Sequence, residues 1–224
     1  MQQYPLFLSL TAKDILVVGA GAVGRRKIAS LLPCSPRSIT VVDPELSPED
    51  LRSLTASGPV RCLVRPFAPG DLDGQALVFA AASNREINDL VAKLCRERGI
   101  FCNIADAPEK SDFFVPAHVA KEGIILAIGT GGQSPALARR LRMELEDWLG
   151  TRYAGLLTLL SRLRPLVLGL GLPTEQNSAL FQALTHSALA ELLENRQRAA
   201  AEALLAECLP EALHPRIGEL LHGL

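Results

Sequence analysis

What this 224-residue chain lacks removes several classes of protein before any motif is considered. It has no excess charge of either sign: 23 Lys and Arg stand against 24 Asp and Glu, a formal net charge of -1. The broad basic surface that nucleic-acid binding proteins carry is therefore not expected. Disulfide and metal patterns are missing as well. Cys34, Cys62, Cys95, Cys102 and Cys208 are odd in number and widely spaced, with no CxxC, which suits reduced thiols in a cytosolic protein. No cluster of His and Cys has metal-ligand spacing, so no metal ligand is assigned. Apolar runs are short, and none approaches the ~20 residues of a membrane helix. The start "MQQYPLFLSLTAKD" has neither the basic opening nor the apolar core of a signal peptide. A soluble, cytoplasmic protein is expected, with no membrane and no nucleic acid among its partners. Internal repeats and low-complexity segments are absent too.

What is present begins at residue 15. In "ILVVGAGAVGRRK" a short apolar run, rich in β-branched residues, suits a buried parallel strand. Glycines at G-x-G-x-x-G spacing follow: Gly19, Gly21 and Gly24. In a dinucleotide fold the first allows a tight turn, the second lets a pyrophosphate approach the backbone, and the third lets helix and strand pack closely. The helix opening at Ala22 and Val23 would turn its free N–H groups and positive dipole end toward an anion. A second strand, "SITVVD" (38–43), ends in Asp43, 19 residues beyond Gly24. That is close to the spacing of a carboxylate that accepts hydrogen bonds from an adenosine ribose. Such an acid repels a 2′-phosphate, so the cofactor expected is NAD rather than NADP. A generic α/β turn, with Asp43 an ordinary loop residue, is the competing reading.

The alternation continues through a short strand within residues 56–67, an apolar strand within 74–83 and a helix over 85–99. That helix has apolar positions 87, 90, 91 and 94, and Gly99 to end it. A strand over 100–106 finishes at Asp106. Strands alternating with helices predict an α/β fold with a mainly parallel sheet and ligands at the carboxyl ends of its strands. Asp106 stands at such an end, where it is as well placed to accept a proton as to cap the turn before Pro108. Beyond Asp112 the texture changes. A strand "GIILAIGT" (123–130) and a Gly-Gly turn precede a long helix, with Ser134 as N-cap and Pro135 at its first position. After Gly150 the chain is Leu- and Ala-rich, helical in period and broken near 169–177.

The blocks "YPLFLSL", "ILVVGAGAVGRRK", "FCNIADAPEKSDFFVPAHV" and "LAIGTGGQSPALARRLRMELE", in that order, resemble the sirohaem synthase dehydrogenase family. Its members are precorrin-2 dehydrogenases, some of them also sirohydrochlorin ferrochelatases. The resemblance covers about residues 4–149, and beyond it the tail is similar only in length and helicity. It implies a Rossmann-type NAD-binding domain (1–113), a small α+β segment through which two chains dimerise (114–149) and an all-helical C-terminal domain (150–224). It further implies oxidation of a tetrapyrrole, precorrin-2, to sirohydrochlorin by NAD⁺.

The family's essential aspartate falls on Asp106, and a Ser or Thr before its Gly-Gly turn falls on Thr130. The backbone of Ala82 and Ser83 would meet the nicotinamide side, where many members carry a threonine and acids. Alanine is usual in the family at the position of Gly24. A polycarboxylate substrate needs cations, which bidentate arginine suits best. Arg139, with Arg140 and Arg142 beside it, is the candidate, although a solvated helix face with Glu144 and Glu146 explains any single one as well. Arg25, Arg26 and Lys27 are assigned to phosphates or to the helix surface. His118, the only histidine ahead of the helical tail, is a candidate for the substrate side and for meeting iron there, and a surface or packing role explains it as well. Metal insertion into sirohydrochlorin would need no resident metal cluster. A non-catalytic NAD-sensing module would explain the glycine loop and Asp43, but not "NIADAP", "FVPA" or "GTGGQSP".

Overall fold

The computed structural model describes residues 3–224, which form two compact units meeting at Val115 and Pro116. The first is built on five strands: β1 (Asp14–Val18), β2 (Ser38–Val42), β3 (Val60–Leu63), β4 (Leu77–Ala80) and β5 (Phe101–Ile104). They pair in the order β3-β2-β1-β4-β5, every pair parallel. Three helices serve this sheet: α1 (Ala22–Leu31), α2 (Pro48–Ala56) and α3 (Arg85–Arg98). The chain order reverses between β1 and β4, so a crevice opens at the carboxyl ends of those two strands, the usual ligand position in such sheets.

Period-two alternation along β1 divides the core in two. Ile15 and Val17 pack with Ile28 and Leu31 of α1, Leu54 of α2 and Phe79 of β4. Leu16 and Val18 face the other way, with Val91, Ala92 and Cys95 of α3. Each fully buried side chain of this size stabilises the unit by about 1.5–3 kcal/mol. Phe79 is also flanked edge-on by Phe113, ring centroids 5.4 Å apart, and its face carries the Lys27 ammonium 5.6 Å from the centroid. Burial pushes the pKa of that ammonium below its usual value.

The helix starts are specified locally. Ser47 and Asp50 form a reciprocal capping box on α2. Asn84 caps α3, and Gly99 ends it with φ 67°. The buried stripe of α3 is Asn88, Val91, Ala92 and Cys95, one position round from the expected face, and Leu90 is exposed. The expected stripe held only hydrophobic residues and so stepped over a buried asparagine.

The outer edge of β5 is closed by the segment after it. Asp112 accepts from the Cys102 amide (2.9 Å), and its own amide donates to the Cys102 carbonyl. The Ser111 hydroxyl accepts from the Ile104 amide, and Asn103 donates to the Phe113 carbonyl. Part of the "NIADAPEKSDFF" block is thus edge protection for the sheet.

The second unit opens with an antiparallel hairpin, β6 (Ala117–Lys121) and β7 (Ile124–Ile128). Its first strand was not foreseen. Both turn residues have positive φ, Glu122 at 48° and Gly123 at 80°, the geometry that matches strand twist in two-residue hairpins. After it come α4 (Pro135–Leu149), α5 (Ala154–Gly169), α6 (Thr174–His186), α7 (Leu189–Glu194), α8 (Arg198–Cys208) and the short α9 (Ile217–Leu220). Leu156, Leu159, Leu163 and Val167 of α5 form a core with Leu184, Leu189, Ala201, Leu205 and Ile217. Between Thr174 and Cys208 the chain forms three helices. Ser187 turns the chain by accepting from the Leu189 amide, and Arg196 turns it with φ 55°. No described helix is long and apolar enough to cross a membrane.

Candidate functional site

The glycine loop leaves β1 at Gly19, whose amide donates to the Val42 carbonyl (2.9 Å) and whose φ is +95°. A Cβ there would lie 2.4 Å from the Ala81 carbonyl oxygen, and one at Gly24 would lie 2.0 Å from that of Gly19. Both glycines are demanded by the packing of β1, β4 and α1 against one another. Alanine at position 24 would clash with this backbone, so the loop is built around the glycine. Gly21 differs: its Cβ would meet nothing within 4 Å. It is the N-cap of α1, supplies no side-chain cap, and no acid stands in the first turn. The amides of Ala22, Val23 and Gly24 thus lack intrahelical acceptors, beside open space that a bulkier residue at 21 would fill. A dinucleotide pyrophosphate fits this cradle in shape and in charge.

Asp43 lies one residue past β2. Its carboxylate accepts from the Ala20 amide (2.7 Å) and from the Glu45 amide (2.8 Å). Four lone-pair positions leave room for a ribose hydroxyl besides. Arg25 grips the same loop from the other side, its Nε donating to the Ala20 carbonyl (2.8 Å) and its guanidinium meeting Asp50 at 2.6 Å. Bonds from Ser47 and Arg25 hold the Asp50 carboxyl below the usual carboxylate range. Arg25 therefore braces the loop, and Lys27 lies over Phe79. Of the two roles given to these cations, phosphates or the helix surface, the contacts present are with the protein itself.

Between β4 and α3 the chain turns at Ala82, Ser83 and Asn84. Asn88, one turn into α3 and only 1% exposed, accepts from the Ala82 amide (3.0 Å) and donates to the Ala82 carbonyl (2.9 Å). It also donates to Oδ1 of Asp106 (3.2 Å). Asp106 lies two residues past the end of β5 and is exposed. It does not cap the turn at Pro108–Lys110, whose N-cap is Ala107 without a side-chain bond. Of the two roles open to Asp106 from its position, the cap is thus removed. Asn88 escaped the sequence reading, and its signal was a polar residue in register with Val91, Ala92 and Cys95.

The glycine loop, Asp43, the Ala82–Ser83 turn and Asp106 thus share the carboxyl edge of one sheet. Thr130, Arg139 and His118 belong to the second unit. The Thr130 hydroxyl accepts from the Ser134 amide (3.3 Å) and donates to the Ser134 carbonyl (3.2 Å), closing the Gly-Gly turn ahead of α4. His118 is exposed on β6, beside the Pro116 carbonyl (3.2 Å). On α4, Arg140 pairs with Glu144 and Arg142 with Glu146. Among the described residues, Arg139 is the only member of this trio outside an ion pair, and it is exposed. No group of three or more His, Cys, Asp and Glu placed to hold a metal occurs among the described residues.

The chain is similar to known proteins along its whole length. It is 34% identical over 223 residues to the siroheme synthase of Methylobacillus flagellatus, covering 100% of this chain and 46% of that protein. It is 35% identical over 216 residues to that of Thioalkalivibrio sulfidiphilus, covering 96% of this chain and 44% of the other. With siroheme synthase 1 of Aeromonas salmonicida the match is 42% over 149 residues, 66% of this chain and 31% of that one. The chain thus spans less than half the length of these relatives. The first two matches run through the tail, where similarity in length and helicity alone had been expected. The solved structure of SirC, precorrin-2 dehydrogenase, has the same fold: TM-score 0.73 at 24% identity, covering 92% of this chain and 98% of that one. A family model described as "Putative NAD(P)-binding" matches residues 6–117, half of the chain. With its glycine loop, five-stranded parallel sheet and uncapped α1 inside that match, the chain belongs to this NAD(P)-binding family.

Proposed function

We propose that this chain oxidises precorrin-2 to sirohydrochlorin in sirohaem biosynthesis, using NAD⁺ in preference to NADP⁺. The carrying observation is the convergence of the glycine loop, Asp43, the Ala82–Ser83 turn and Asp106 at one sheet edge. The names of the siroheme synthase relatives support the substrate. In this reading Gly19, Gly21, Ala22, Val23 and Gly24 cradle the pyrophosphate. Asp43 accepts from the adenosine ribose and repels a 2′-phosphate. Ala82 and Ser83 bound the nicotinamide side with their backbone. Bound NAD⁺ supplies the hydride acceptor. Asp106 takes the further proton lost by the substrate, a role that typically contributes ~10²- to 10⁴-fold.

Arg139, Thr130 and His118 are assigned to the substrate, the unpaired Arg139 to one of its carboxylates. The segment 114–149 is assigned to a homodimer, and exposed Ile125, Leu137, Met143 and Trp148 support that. A cytoplasmic setting accords with five free thiols.

Incubation of the purified protein with precorrin-2 and NAD⁺, followed by absorbance, tests the reaction. Conversion to sirohydrochlorin with one NADH formed per turnover is expected. A protein that binds NAD and converts nothing is a sensor, and the proposal then fails. Addition of sirohydrochlorin with Fe²⁺ or Co²⁺ reads metal insertion as a separate step.

A further inference from the structure

The buried amide of Asn88 does more than its place in a helix requires. A side chain in register with Val91, Ala92 and Cys95 would ordinarily be apolar, because an unpaired buried amide is costly. Here three hydrogen bonds compensate: from the Ala82 amide, to the Ala82 carbonyl and to Asp106. They also fix the orientation of the group. Turned over, the amide would set N–H against N–H at Ala82 and oxygen against two further oxygens. The bonds to Ala82 are local and could serve the turn alone. The bond to Asp106, 18 residues away on another element, is not explained by the turn.

We propose that Asn88 is a positioning residue that couples the nucleotide-side turn to the Asp106 carboxylate. Because Nδ2 holds Oδ1, the other oxygen of Asp106, which has no hydrogen-bond partner among the described residues, is left to receive the substrate's proton. The carboxylate cannot then rotate freely between its two oxygens. Ordering of the Ala82–Ser83 turn by a bound nucleotide orders the same amide, and through it the base. The proposal rests on Asp106 being the proton acceptor.

The test is a double-mutant cycle on the rate of a single turnover, measured with the full chain in excess over precorrin-2 at saturating NAD⁺. Asn88→Ala is expected to slow the unmodified protein by about 10-fold, as a misplaced catalytic group does. In an Asp106→Asn background the same change is expected to have almost no effect, because the group through which Asn88 acts is gone. NAD⁺ Kd, measured separately, keeps any loosening of the turn apart from the rate. If Asn88→Ala slows both backgrounds equally, or neither, Asn88 is a structural clamp and the proposal is overturned. If Asp106→Asn alone turns over at near the normal rate, the base assignment itself has failed, a different and distinguishable result. Should Asn88→Ala not fold, Asn88→Asp repeats the comparison. It is near-isosteric, keeps an acceptor for the Ala82 amide, and sets a like charge against Asp106. Failure of both variants to fold would assign Asn88 to the fold and overturn the proposal.

Discussion

Asp43 accepts a 2.7 Å hydrogen bond from the amide of Ala20, so the acid that follows β2 also holds the glycine loop that follows β1. The two strands are adjacent and parallel, which brings their carboxyl ends, and hence loop and acid, to the same place. The residue assigned to cofactor choice thus has a second duty, and substitutions there must separate the two.

For Asp43 the informative substitution is asparagine. Asp43→Asn keeps one oxygen for a backbone amide and removes the charge. It should narrow the preference for NAD⁺ over NADP⁺ while weakening NAD⁺ binding only modestly. Asp43→Ala should weaken both cofactors more, because the loop loses its fastening. Calorimetric Kd values for both nucleotides decide, and equal affinity in the unmodified protein would remove the basis for the assignment.

Two neighbouring glycines should separate folding from binding. Gly24→Ala places a methyl 2.0 Å from a carbonyl oxygen, so it should destabilise the first unit by about 1–3 kcal/mol, the usual range for overpacking. Gly21→Ala meets open space and should cost less than about 1 kcal/mol. Its effect should fall on nucleotide affinity. Thermal melts with and without NAD⁺ would show the contrast, and its reversal would mean the cradle is misassigned.

Asp106→Asn should preserve fold and cofactor binding, since the side chains are near-isosteric, and slow the proposed oxidation by ~10²-fold or more. Asp106→Ala should match it in rate at little cost in stability, because Asp106 does not cap the next turn. A near-normal rate in the Asn variant would make Asp106 structural. Loss of any metal insertion along with oxidation would point to one shared base.

Ile125 tests the proposed dimer. By register it shares a face of the hairpin with Ala120, Ala127 and His118, and all four are exposed. Ile125→Asp should shift a homodimer toward monomer in sedimentation. An unmodified protein that is only monomeric at micromolar concentration would overturn the assignment.

The Asp14 carboxylate gives a pH-dependent signature. A hydrogen bond from Arg37, with help from Ser38, lowers its pKa from 3.8 to about 2. A depressed folded-state pKa stabilises above the unfolded value and is lost as pH falls through the folded one. The melting difference between the unmodified protein and Asp14→Asn should therefore be constant from neutral pH to about 5, shrink as pH falls from about 4 to about 2, and vanish only below about 2. A difference that persists there would rule out the ion pair as its cause.

By itself the sequence determined the local features. Short-range chemistry writes them plainly: the glycine spacing after β1, the cap at Ser134, the stop at Gly99, and the alternation of strand and helix that requires a parallel sheet. Each is a consequence of backbone conformation or apolar periodicity within a few residues, and the ends of the strands located Asp43 and Asp106. Only the tertiary structure decided what those residues touch. Arg25, open between phosphate and helix surface in the sequence, braces the loop because Ala20 and Asp50 converge on it. Ser111 and Asp112 turned out to close the edge of β5. Asn88, hidden in an apolar stripe, joins Ala82 to Asp106. Such contacts join residues far apart in the chain, and their partners are set by how strands and helices pack. No period or spacing along the sequence records them.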